Sequence, residues 1–171
     1  MSESHLTFRT GAPDDASTMA AYHRRCWVDS FTDLLESGVV AAMDPHHGAD
    51  RWPLFLDPAR GFTTIVADDG GRAVGHVTVR GNEVVQLFID PDHQGRGLGR
   101  HLLEIGEALI AGAGFDTAEL DTIVGNAPAI AFYEAAGWTV TDRIVHNDAD
   151  GVVFDEHVLT KNLERPDQQP D

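Results

Sequence analysis

Leu87-Phe88-Ile89-Asp90-Pro91-Asp92-His93-Gln94-Gly95-Arg96-Gly97-Leu98-Gly99-Arg100 is the stretch on which the reading of this chain turns. An apolar strand stops at Pro91, which cannot donate to a sheet ladder. It passes through a glycine-rich turn into a helix predicted over Gly97 to Ala113. That helix carries Leu98, His101, Leu102, Ile105, Leu109 and Ile110 on its buried side. A helix start offers unpaired backbone N–H groups and the positive end of a dipole, and glycines let the backbone approach a ligand closely. A phosphate or pyrophosphate is the expected guest. Arg96, Arg100 and His101 add positive charge. The same glycines also suit a plain tight turn, so the turn alone leaves both readings open. A Walker A loop would need Gly-Lys-Ser/Thr where this chain has Gly97-Leu98-Gly99-Arg100. The Rossmann fingerprint would need G-x-G-x-x-G, whereas Gly95, Gly97 and Gly99 spell G-x-G-x-G. An ATPase and a dehydrogenase are therefore disfavoured.

Upstream, the pattern is of hairpins. Leu6 to Arg9 alternates as a half-buried strand, Asp14 or Asp15 caps a helix bearing Met19, His23 and Trp27, and a second helical stretch runs from Phe31 to Ala42. Asp44 to Arg60 reads as loop with one short helix. Strands follow at Thr63–Ala67, Ala73–Val79 and Glu83–Ile89, joined by Asp69-Gly70-Gly71 and Gly81-Asn82 turns. Downstream, Thr117–Val124 is a strand, Ala127–Ala136 a helix ended by Gly137, and Trp138–Val145 a strand. Asn147 to Gly151 is a turn, and Val152–Leu159 the last strand. A meander followed by strand-helix-strand units indicates a mixed α/β sheet. The expected organisation is one domain over residues 1–163 with a polar, frayed tail at 164–171.

Composition narrows the function classes. Of 171 residues, 12 are Lys or Arg and 28 are Asp or Glu, a net charge of −16. Phosphate-backbone binding runs on clustered basic residues; one lysine, Lys161, and scattered arginines argue against nucleic acid or an anionic membrane. The negative field would draw a cationic substrate, although solubility alone also explains it. No apolar run reaches the ~20 residues needed to span a bilayer. A single cysteine, Cys26, excludes an internal disulfide framework and points to a reducing, cytoplasmic setting.

Two segments together resemble the GNAT (Gcn5-related) N-acetyltransferases. Gln94-Gly95-Arg96-Gly97-Leu98-Gly99 is similar to that family's Q/R-x-x-G-x-G/A pyrophosphate loop. Asn126-Ala127-Pro128-Ala129-Ile130-Ala131-Phe132-Tyr133-Glu134-Ala135-Ala136-Gly137-Trp138 resembles its N-x-x-A-x-x-F-Y-x-x-x-G-F/W segment. The order and spacing agree, and the likeness extends from about Leu6 to Leu163. The resemblance implies an α/β (α+β) fold: a mixed, mostly antiparallel sheet of about seven strands, splayed between Glu83–Ile89 and Thr117–Val124 and flanked by about four helices. It implies acetyl-CoA as co-substrate, its pantetheine arm pairing with backbone groups of Leu87, Phe88 and Ile89. The loop of Gln94, Gly95, Arg96, Gly97, Leu98, Gly99 and Arg100 would cradle the pyrophosphate, and Asn126 would touch the arm from the far side. Tyr133 would give a proton to the departing thiolate while also contacting the cofactor.

Acetyl transfer to an amine needs a neutral amine, donors for the developing oxyanion and a proton for the leaving group. A phenol can donate to sulfur at neutral pH. By the resemblance Glu83, eleven positions before Gln94, aligns with a general base; an exposed strand-end residue is the alternative. His76 is either a relay or a solvent-side residue, and Cys26 is a core thiol. His46-His47 with Asp44 and Asp50 do not make a metal site, since adjacent histidines rarely face one ion; no metal is expected. Trp27, Phe31, His46 and Trp52 are candidate acceptor contacts, with the loop near His146–Gly151 covering the other side. The expected acceptor is a primary amine on a small, cationic molecule. A protein or peptide amine and a non-catalytic acyl-CoA-binding module are the alternatives, and a homodimer is one option the resemblance leaves open.

Overall fold

The computed structural model describes residues 6–31, 33, 51–149 and 152–164. Its strands are β1 (Leu6–Thr10), β2 (Thr63–Asp69), β3 (Arg72–Arg80), β4 (Glu83–Ile89), β5 (Thr117–Ile123), β6 (Thr139–Ala149) and β7 (Val152–Asn162). The α-helices among the described residues are α1 (Ala16–Phe31), α2 (Trp52–Phe55), α3 (Leu98–Gly112) and α4 (Ala127–Ala135). All seven strands form one sheet in the order β1-β2-β3-β4-β5-β7-β6. Every pairing is antiparallel except β4 with β5.

The alternation of β3 places its two helical layers. A Cβ added at Gly106 of α3 would stand 2.8 Å from Val77 Cγ2 and 3.4 Å from Val79 Cγ1, so α3 lies on the Val77 face. Tyr22 of α1 bonds His76, which alternates to the other face. With a helix on each side, Ala73 to Val79 are all buried. β3 is therefore a central strand covered twice, and its polar His76 and Thr78 are paired inside. Thr78 meets Thr64 hydroxyl to hydroxyl at 2.8 Å.

The decisive irregularity is in β4. Thr78 stands opposite Gln86 but Val79 stands opposite Val84, which leaves Val85 as a bulge. The bulge turns Glu83, Gln86 and Phe88 toward the α1 side, opposite Arg80, Thr78 and His76 respectively, while Val84 joins the α3 core. On its far edge β4 has a single registered partner, Glu83 with Glu119 of β5, backed by Glu119 N–H donating to Asn82 C=O at 2.9 Å. Beyond that pair the strands part, as the resemblance implies, whereas β5 stays fully laddered to β7.

Two boundaries differ from expectation. β6 runs on through Asn147 and Ala149, paired opposite Phe154 and Val152, and β7 continues to Asn162. The run read as a turn is therefore strand as far as Ala149, because β6 is an edge strand that needs a partner on one side only. The short helix inside the predicted loop is Trp52–Phe55. The helix expected at 31–42 lies outside the described residues beyond Phe31, apart from residue 33.

Candidate active site

The parted edges of β4 and β5 form a groove of about 760 Å³ that continues to the α1 side. Its walls include Val84 to Ile89 from β4 and Leu120 to Ile123 from β5. Gln94, Gly95, Gly97, Gly99 and Arg100 border it at one end, and Asn126, Phe132 and Tyr133 from the α4 region line it. The sequence-predicted residues Leu87, Phe88, Ile89, Gln94, Gly95, Gly97, Gly99, Arg100, Asn126 and Tyr133 therefore meet at one place, joined there by Trp27.

The loop is built to keep backbone donors open. Asp90, 2% exposed, caps the turn by accepting from Asp92 N–H at 3.3 Å, and Arg25 donates to it at 2.8 Å. Gly95 and Gly97 sit at φ 73° and 79°, where an L side chain is strained although nothing lies within 4 Å to clash. Gly97 is the cap of α3 with no side-chain hydrogen bond to the first turn, so the Leu98–Arg100 amides retain the anion-binding character of a helix start. Gly99 differs: an added Cβ would make ordinary 3.6 Å contacts with Ile89 and Phe132.

Several expectations are refined by the geometry. The side chain of Leu98 is 5% exposed and belongs to the core, so only its amide can face a ligand. Arg96 is exposed and stands outside the groove lining. Arg100 donates to Glu104 at 3.0 Å and to Ala135 C=O at 3.2 Å, tying α3 to the end of α4. Ile89 C=O already accepts from Gln94 Nε2 at 3.1 Å and from the Cys26 thiol at 3.0 Å, so it is not vacant for pairing. Asn126 caps α4 by accepting from Ala129 N–H at 3.3 Å. Burial pushes the Cys26 thiol up to about 12, consistent with an inert core thiol.

Tyr133 packs against Phe132 and Trp138, ring centroids 5.1 and 6.2 Å away. Desolvation pushes its phenol up to about 12, so it keeps its proton at neutral pH. Glu83 stands at the vertex where β4 and β5 meet, outside the groove lining. Burial and the neighbouring Asp121 raise its pKa above 4.5 against the opposing Arg80. Asp121 and Glu156 line the groove. Asp121 is raised mainly by burial; Glu156 is raised by burial, then by Asp121 and Glu83, while a 2.6 Å hydrogen bond from Asn147 opposes this. Sequence reasoning missed Asp121, Glu156, Gln86 and His23. Alternation from Glu119 would have placed Asp121 on the face of Glu83, but Glu156 needs the β5–β7 register.

The acceptor candidates divide. Trp27 lines the groove, donates from its indole to His23 Nε2 at 2.9 Å and lies 6.3 Å from the Phe154 ring of β7. His23 is desolvated down to about 4 and is neutral. Trp52 is corrected: at 2% exposure it is core, edge-on to His23 and His76 at 5.0 and 5.2 Å. His76 is corrected too, since it is fully buried and not on the solvent side. Phe31 ends α1, but its side chain lies outside the described residues, as does His46. Among the described residues no helix is long and apolar enough to cross a membrane.

Comparison with known proteins agrees with this geometry. Residues 19–138 match the model of the acetyltransferase (GNAT) family. A mycothiol acetyltransferase of Clavibacter michiganensis is 35% identical over 138 residues, 78% of this chain and 42% of that protein; the chain thus spans less than half the length of that relative. The peptidyl-lysine N-acetyltransferase YjaB of Salmonella typhimurium is 33% identical over 81% of this chain and 86% of its own length. Among solved structures, the PaiA N-acetyltransferase of Thermoplasma acidophilum in complex with coenzyme A superposes with a TM-score of 0.74 at 17% identity, covering 95% of this chain and 99% of that one. YncA of Salmonella typhimurium with acetyl-CoA gives 0.69 at 18%, covering 98% and 99%. With its splayed seven-stranded sheet and glycine loop, the chain belongs to the acetyltransferase (GNAT) family.

Proposed function

We propose that the protein transfers the acetyl group of acetyl-CoA directly to a primary amine. The observation that carries this reading is the unpaired edge of β4, which opens beside the glycine loop and Tyr133 in one groove. Bound acetyl-CoA supplies an activated thioester. The amides of Leu98 to Arg100 and the loop at Gln94 to Gly97 hold its pyrophosphate, and the free β4 edge near Leu87 and Phe88 holds the arm and offers N–H groups to the carbonyl oxygen. Tyr133 Oη holds a proton for the departing sulfur. Glu83, alone or through a water, takes the proton of the amine.

The acceptor reading is a small cationic amine. Asp121 and Glu156 line the groove and Glu83 stands at its vertex, so a positive guest finds compensating charge there, while Trp27 offers an aromatic face. The name of one relative, a peptidyl-lysine N-acetyltransferase, favours a second reading in which the amine is a lysine side chain of a protein. Calorimetric titration with acetyl-CoA, followed by coenzyme A release in the presence of spermidine, of glycinamide or of a lysine peptide, tests both. Tight binding with release stimulated by spermidine supports the first reading, and stimulation by the peptide alone supports the second. Absence of acetyl-CoA binding overturns both.

A further inference from the structure

Gln86 projects from β4 beside the bulge and lines the groove, yet its carboxamide is gripped from behind. Tyr22 Oη lies 2.6 Å from His76 Nδ1, and His76 Nε2 lies 3.2 Å from Gln86 Oε1. This chain links α1, β3 and β4 through the interior. Tyr22 is 1% exposed and His76 0%. His76 is hemmed by the rings of Trp52 and Phe88 at 5.2 and 5.9 Å.

The proton count sets the direction of the chain. Among the described residues Tyr22 Oη has no hydrogen-bond partner but His76, so a buried phenol must donate to Nδ1 or leave its proton unpaired and desolvated. Burial depresses His76 to about 3, so the ring is neutral and carries one proton, at Nε2. That proton goes to Gln86 Oε1, which fixes which end of the carboxamide faces inward. The two N–H protons of Gln86 have no acceptor among the described residues and are left to the groove side. An orientation enforced by two buried residues is more than packing requires, since an apolar side chain would cover the same surface without the chain behind it.

We propose that Gln86 is a catalytic residue of this groove, its carboxamide N–H binding an acyl oxygen there, with Tyr22 and His76 as positioning residues that hold the amide in the donating orientation. The proposal rests on the acetyl-transfer reading above. The oxygen comes either from the thioester or from a carbonyl next to the acceptor amine, and the experiment separates the two. Wild type, Gln86→Leu, Gln86→Glu and Tyr22→Phe are titrated with acetyl-CoA and with coenzyme A. Coenzyme A release is then followed with glycinamide and with ethylamine, which differ in having and lacking a carbonyl.

If the oxygen is that of the thioester, both Gln86 variants weaken acetyl-CoA but not coenzyme A by about five- to tenfold, the scale of one lost hydrogen bond. If it is that of the acceptor, both affinities stay level and the glycinamide-to-ethylamine ratio of kcat/KM falls by a similar factor. Tyr22→Phe gives a smaller change of the same sign, which a purely structural tyrosine would not produce, since loss of packing would weaken both nucleotides together. Gln86→Glu keeps an acceptor for His76 while losing the donors, so it reports even if the leucine variant folds poorly. A wild type that binds both nucleotides, with both ratios untouched by substitution or with an untouched affinity ratio and no turnover of either amine, overturns this proposal alone. A wild type that binds neither overturns the acetyl-transfer reading with it.

Discussion

The two edges of β4 are made by the same seven residues and do opposite things. Toward β3 the strand is registered from Arg80–Glu83 to Gly75–Ile89 with one bulge; toward β5 it is registered once. The β3 edge lies between two helical layers, where Val77, Leu102 and His76 have no exposed surface. The β5 edge borders a groove lined by partly exposed Leu87, Phe88, Phe132 and Tyr133. A strand can hold its place with one edge and leave the other for a ligand, because ladder hydrogen bonds and core contacts on one side suffice to anchor it. Substitutions among the apolar residues of the closed side should therefore change stability without changing ligand affinity, and those on the open side the reverse; Tyr22 and His76 are the exception, because they reach the open side through Gln86.

The sharpest way to break this division is Gly97→Glu. It puts a side chain at a strained φ of 79° and a carboxylate where phosphates are expected, and should weaken acetyl-CoA by roughly 1,000-fold, about 4 kcal/mol, in calorimetry, with Tm lowered by about 2–4 °C for each kcal/mol of backbone strain. Trp52→Ala tests the other side. It empties a core position of 2% exposure and should destabilise by about 3–4 kcal/mol in denaturant unfolding, with acetyl-CoA affinity kept; an affinity loss matching the stability loss would dissolve the comparison. Tyr133→Phe removes only the hydroxyl and should lower kcat by about 100-fold, the low end of general-acid effects, with acetyl-CoA affinity unchanged.

Glu83→Gln is the smallest effect and the finest probe, because Glu83 stands where the two edges converge. Burial and Asp121 raise its pKa above 4.5, so a base at this position becomes competent only as pH rises through that raised value. Wild-type kcat/KM should climb along an acid limb lying above pH 4.5. The glutamine variant should lose that limb, with a smaller fall in rate than Tyr133→Phe because water can still take the amine proton. A full rate with an unchanged profile would move the base elsewhere.

Much of this was legible in the chain. Glu83–Ile89 coincides with β4, and the helix read over Gly97 to Ala113 is α3 within a residue at each end. Both have strong apolar periodicity and are bounded by residues with special backbone needs. Trp27 and Trp52 were indistinguishable as candidates, since both are aromatic residues in helical or loop contexts. Only packing put one in the groove and the other in the core. His76 stood open between a relay and a solvent-side residue, because alternation cannot reveal that a strand is covered on both faces. The bulge at Val85 carries no sequence signal, yet it decides that Gln86 and Glu83 share a face.

By itself the sequence determined the parts that depend on local chemistry. These are the strand-to-helix turn at Gly95 and Gly97, where positive φ admits little but glycine, and the capped α4 segment from Asn126. They also include the order of elements from which the family could be read. The tertiary structure decided what depends on residues far apart in the chain. It set the parting of β4 from β5 after one pair and the gathering of Glu83, Asp121 and Glu156. It also aligned Tyr22, His76 and Gln86 behind the groove. The physical reason is range. A turn's conformation is set by its own few residues, whereas register and burial are set by pairing partners that no local pattern names.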